Sequence, residues 1–257
     1  MVLKHRALLI SSLAVASSFA AAAVIYDNGG IVTHPAGGFG GADASSLQTA
    51  LGNNIYGYGA QVSAGNWMAD DFTIGAGDQW TIDTFDFMAY QTGSTTTSTI
   101  NDLRVVIFNA QPVVGPAFGS PAFGSTATNV LGSTAWSGVY RVIDTNLMAS
   151  NRPVMDVQSS NLGWVLGPGT YWVAWQFGGT LSSGPWQPPV TILGQNNKPG
   201  SNAMQFTAAG WANAIDSGTF TGPHDMPFAI NGTAVPEPAT MAILGAGFAF
   251  LARRRRK

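Results

Sequence analysis

The chain contains no cysteine, so its chemistry must come from carboxylates, imidazoles or aromatic faces. That removes thiol nucleophiles and thiolate-held metals. The carboxylates of the central chain are all aspartates, because the sole glutamate is Glu237 near the carboxyl terminus. Asp70 and Asp71, ahead of an apolar run, are the candidate metal ligands. Asp27, Asp83 and Asp86 lie elsewhere. Ca²⁺ takes about 6–8 oxygen ligands, which aspartates and backbone carbonyls of β-rich domains supply. Neighbouring side chains on a regular strand point to opposite faces, so both carboxylates meet one ion only if the backbone there is irregular. No Asp-x-Asp-x-Asp-Gly loop is present. Glycoside hydrolysis would need a carboxyl pair made of two aspartates, and the spacing singles out none. His34 and His224 each adjoin a proline, and no Gly-x-Ser-x-Gly elbow exists for a serine nucleophile. His224-Asp225 reads as half of a triad or metal site, or more simply as a loop histidine bonded to backbone. Trp172, Trp186 and Trp211 are the candidate sugar contacts, since the C–H faces of sugar rings stack on exposed indoles. Their competing reading is core packing or loop anchoring.

These groups must be placed by strands. Tyr171 to Phe177 alternates strictly, with Tyr171, Val173, Trp175 and Phe177 on one face and Trp172, Ala174 and Gln176 on the other. Trp80 to Tyr90 alternates in two halves whose phase slips between Ile82 and Phe85, which a β-bulge reconciles. Val24–Tyr26, Asp71–Ile74, Leu103–Phe108, Val139–Ile143, Met204–Phe206 and Pro227–Ile230 complete the expected strands. Ala44 to Ala50 reads as a brief helical turn, and Asn231-Gly232 as the turn that closes the domain. Pro112, Pro116 and Pro121 make Gln111 to Ser125 a loop carrying the echo Gly-Pro-Ala-Phe-Gly and Ser-Pro-Ala-Phe-Gly. Short strands, abundant glycine and almost no helical period predict an all-β fold, an antiparallel jelly-roll-like β-sandwich.

The two ends differ from the middle. Lys4, His5 and Arg6 precede an apolar stretch from Leu8 to Phe19 and the small residues Ala20 to Ala23. This is the layout of a signal peptide over residues 1–23, cut by signal peptidase after Ala23. Residues 24–234 form the ectodomain, in which Arg104, Arg141, Arg152 and Lys198 face twelve aspartates, a net charge of −8. So acidic a surface argues against nucleic acid as a partner. Residues 235–257 hold Pro236-Glu237-Pro238, an uncharged apolar run from Ala239 to Ala252, and the basic block Arg253, Arg254, Arg255, Arg256 and Lys257. An apolar run followed by cations fits a short transmembrane helix with its basic end in the cytoplasm.

That order resembles the PEP-CTERM sorting signal of Gram-negative bacteria. The resemblance implies recognition and cleavage near the motif by an exosortase, a membrane-embedded protease. It also implies transient anchoring in the inner membrane and delivery to the cell envelope or the exopolysaccharide-rich biofilm matrix. Ala69-Asp70-Asp71-Phe72, Trp80-Thr81-Ile82 and Gly169-Thr170-Tyr171-Trp172 are similar to exported bacterial β-sandwich domains found upstream of such anchors. The expected role is a non-catalytic envelope or matrix protein in contact with exopolysaccharide. The alternative is a secreted carbohydrate-active hydrolase that uses aspartates.

Overall fold

A computed structural model describes residues 23–236. The stretch expected to be a signal peptide, up to Ala22, lies outside the described residues. So do the stretch expected to be a transmembrane helix, Glu237, Pro238 and Arg253 to Arg256. Pro236 is described by its backbone alone.

Fifteen strands form three sheets. The first joins β1 (Ala23–Asp27), β15 (Phe228–Pro236), β5 (Asp78–Ala89), β9 (Pro153–Ser159), β8 (Leu131–Ile143) and β2 (Asp43–Leu47) in that order, with β10 (Trp164–Leu166) also on β5. The second runs β14 (Gly210–Asn213), β13 (Met204–Thr207), β4 (Trp67–Ile74), β11 (Gly169–Gly179), β6 (Ile100–Phe108) and β7 (Phe123–Gly124). A short pair, β3 (Tyr58–Gly59) with β12 (Trp186–Gln187), stands apart. The order β1-β15-β5-β9 facing β4-β11-β6-β7 is that of a jelly roll. The β8–β2 pair widens one sheet and the β13–β14 hairpin widens the other.

The alternation read in the sequence decides what lies between the sheets. Phe85 and Phe87 of β5 meet Trp175 and Phe177 of β11 in one buried cluster. Phe87 stacks on Trp175 with centroids 4.6 Å apart, and Phe72 on Trp80 at 6.0 Å. The expected bulge is present: Asn231 pairs with Thr84 and Gly232 with Ile82, so Asp83 is skipped. Both halves of β5 thereby keep Ile82, Phe85 and Phe87 in the core.

Two local expectations fail. Ala44 to Ala50 contains a strand, β2, parallel to β8, and only Thr49–Leu51 forms a 3₁₀ turn. Small side chains suit that place, because Ala44, Ser45 and Ser46 are buried. Asn231-Gly232 does not close the domain; it is the bulge itself, and β15 runs on to Pro236 opposite Asp78. Gly232 is required there because a Cβ would run into the Thr81 carbonyl.

The outer face of the second sheet is covered as well. Trp67, Ala69, Val106, Phe108, Trp172, Ala174, Met204 and Trp211 form a second buried cluster, closed by Phe118 and Phe206. The proline-rich loop is its lid, and its echo has a structural use. Phe118, from the first copy, packs on the outer face. Phe123, from the second, packs on the inter-sheet core.

Candidate functional site

Asp70 and Asp71 do not converge. Asp70 shares the inward face of β4 with Met68 and Phe72, while Asp71 faces outward and is partly exposed. Asp70 Oδ2 accepts from Asn28 Nδ2 (2.8 Å) and the Met226 amide (2.8 Å), and its Oδ1 from the Asp71 amide (2.9 Å). Asp71 Oδ1 accepts from Asn202 Nδ2 at 2.8 Å. Both oxygens of Asp70 and Oδ1 of Asp71 accept from N–H donors, and the two side chains lie on opposite faces of β4. Among the described residues no group of three or more His, Asp or Glu side chains gathers as a metal would require. The expected cation pair is thus replaced by a structural network. Lys198 Nζ extends it, donating to Asn28 Oδ1 (2.7 Å) and pairing with Asp225 Oδ2 (3.0 Å).

Burial pushes the Asp70 carboxyl well above the ordinary value of 3.8, and the nearby Asp225 raises it further, against the two backbone donors. A carboxyl raised in the folded state contributes stability that is complete below the ordinary value and is lost as pH climbs through the folded one. Urea midpoints of the wild-type protein are therefore expected to fall as pH rises above the ordinary value of 3.8, and Asp70→Asn to flatten that fall. An unchanged slope in the variant would contradict this.

Two of the three tryptophan candidates are corrected. Trp172 is 4% exposed and Trp211 1%, both under the proline-rich lid. Trp211 Nε1 donates to the Phe118 carbonyl at 3.0 Å, and its ring stacks on Phe118. Neither offers a face to a sugar. Trp186 is half-buried in β12, with Nε1 toward Ser183 Oγ at 3.3 Å. It belongs to the cluster of Ile31, Tyr90 and Met88.

Ile31 and Met88 lead to the main concavity. A groove of about 600 Å³ lies between the Asn28–Val32 and Val190–Leu193 segments, with Asp27 and Lys198 on its walls. A smaller extension of about 150 Å³ continues over the outer face of the first sheet, past Asp86 and Asp156. Gly29 and Gly30 line both parts, bringing backbone close to whatever enters. Gln48 holds one wall, donating to the Ile192 and Gln195 carbonyls and accepting from the Gly194 amide.

Asp86 is fixed by Gln158 Nε2 (2.8 Å) and Asn231 Nδ2 (2.6 Å). Asp156 is its diagonal neighbour across the β5–β9 ladder, where Asp86 pairs with Gln158 and Met88 with Asp156. Partial desolvation and then Asp86 raise the Asp156 carboxyl. None of these groove aspartates stands out by spacing. The legible hint is that Asp86 falls on the outward phase of β5.

Behind the wall, Arg141 of β8 is fully buried. It donates to the Tyr56 and Ile55 carbonyls, Ser45 Oγ and Thr191 Oγ1 at 2.8–3.2 Å, with no carboxylate in ion-pair range among the described residues. Burial pushes its pKa down to about 10. His224 is not half of a triad. Its Nε2 lies 3.1 Å from the Asn196 carbonyl and its Nδ1 2.9 Å from Tyr58 Oη. Burial lowers its pKa below the ordinary value.

Residues 234–257 match the family model of the PEP-CTERM protein-sorting motif. Neither the curated proteins nor the solved structures contain a match to the chain.

Proposed function

We propose that this chain, sorted by the PEP-CTERM motif at its carboxyl end, is an exported envelope or matrix protein whose groove binds exopolysaccharide. The motif implies export, membrane association and processing by exosortase, a membrane protease. That match is the observation that carries the reading. Intact mass of the protein from its native host tests it. The expected mature form begins near residue 24 and lacks Arg253 to Lys257. A soluble form that retains the basic block would refute exosortase processing.

The groove supports the binding half of the proposal. It is long, edged by backbone and carboxylates, and floored by apolar side chains, with the half-buried Trp186 in the same cluster. Carboxylates and carbonyls accept from sugar hydroxyls, and an acidic wall selects a polymer without negative charge. Trp186→Ala is expected to weaken glycan binding roughly three- to tenfold, as loss of one aromatic contact of about 0.5–1.5 kcal/mol would. Unchanged affinity on a glycan array would remove Trp186 from the site.

The diagonal pair Asp86 and Asp156 favours the hydrolase as second reading, because their unequal surroundings separate an acid from a base. Both oxygens of Asp86 are already occupied by amides, which favours binding. Bound glycan is accordingly expected to release no reducing ends. Release that Asp156→Asn abolishes would establish the hydrolase.

A further inference from the structure

Among the described residues the last paired one is Pro236, opposite Asp78, and the apolar run begins at Ala239. Three peptide units reach at most about 11 Å in any conformation. The end of the sandwich where β15 finishes is therefore held within that distance of the start of the apolar run.

The same end carries the Gly75-Ala76-Gly77 turn between β4 and β5 and the Gly167-Pro168 turn between β10 and β11. The register places them together, because Ile74 pairs with Gly169, Leu166 with Trp80 and Pro236 with Asp78. Gly75, Ala76, Gly77 and Pro168 are exposed, and neither turn holds a charge before Asp78. Beside them Val235 is 51% exposed and Val165 49%. They flank Thr81, which pairs with Val165 on one side and Thr233 on the other. Acidic Asp144 and Asp225 lie at the opposite end, the first after β8 and the second before β15.

We infer that this end, with Val165 and Val235, rests on the phospholipid surface while the chain is anchored. The inference takes from the proposed function only that the apolar run enters a bilayer. A tether this short leaves the domain little freedom to lift away. The exposed Val165 and Val235 give that end an apolar contact with the interface, at a place where Asp78 is the acidic residue of the two turns. The groove, near the start of β15, then points away from the membrane and stays open to solvent.

The absence of cysteine makes the test direct, since a single introduced thiol takes a single label. Ala76→Cys and Ser182→Cys, both exposed and at opposite ends of β11, are each labelled with a fluorophore in the full chain. The chains are reconstituted in phosphatidylethanolamine–phosphatidylglycerol vesicles doped with brominated phosphatidylcholine. Bromine in the acyl chains is expected to quench the label at 76 about twofold or more over the label at 182, as seating at the interface requires. A flexible Gly-Ser insertion of about ten residues between Pro236 and Glu237, reaching about 17 Å, is expected to abolish the difference. Equal quenching at both positions, or a difference that survives the insertion, would overturn the inference. A chain that does not float with the vesicles would instead remove the anchoring on which it rests.

Discussion

Replacing Arg141 by alanine is expected to cost about 3–5 kcal/mol and to unfold a large fraction of the protein at physiological temperature. The guanidinium, on β8, satisfies two carbonyls and two hydroxyls that belong to three other segments: β2, the Ile55–Tyr56 connection and the stretch at Thr191. Without it, several buried acceptors lose their donors at about 1–3 kcal/mol each, partly relieved by water entering the space. Arg141→Lys is expected to recover less than half, because one ammonium cannot reach all four acceptors in the planar fork geometry. Because Thr191 lines the groove, sublethal variants should also weaken glycan binding. Urea denaturation of the processed protein measures the first effect, and a loss below about 1 kcal/mol would refute the assignment.

Trp175→Ala is expected to be comparably damaging, at about 3–5 kcal/mol. The indole is wholly buried, stacks on Phe87 across the two sheets and donates from Nε1 to Gln187 Oε1 at 3.0 Å. Its removal opens a cavity between sheets that the rigid ladders on either side cannot collapse into. Trp175→Phe should be milder, losing the hydrogen bond and part of the volume while keeping the stack. Thermal unfolding separates the two, and equal midpoints for both variants would show that packing volume contributes nothing there.

The sandwich was legible wherever alternation was unbroken. Tyr171 to Phe177 revealed its inward face directly, and the phase slip after Ile82 located the bulge at Asp83. β9 was hidden because Pro153 opens it and only Met155 and Val157 mark its inward phase before the polar Gln158 and Ser159. β2 was hidden because Asp-Ala-Ser-Ser-Leu has no strong strand former, and its conformation comes from lying along β8. The site was less legible still. The outward tryptophans looked available because a period of two cannot tell a solvent face from one covered by a distant loop, and Phe118 covers this one. The groove is assembled from Asp27, Asp86, Asp156 and Lys198, which converge only through sheet order. Arg141 did leave a mark: it is the one cation in Val139-Tyr-Arg-Val-Ile143, a setting in which a charge must be buried with partners or break the strand.

The passage of β15 into the tether also fixes how the domain bears mechanical load. Tension from the membrane enters along the axis of a nine-residue strand bonded to β5 over its whole length and to β1 over its first half. Such a pull strains these pairings together, in shear, and does not peel them one after another from a free end. A pull on the chain beyond Pro236 therefore loads that whole seam at once.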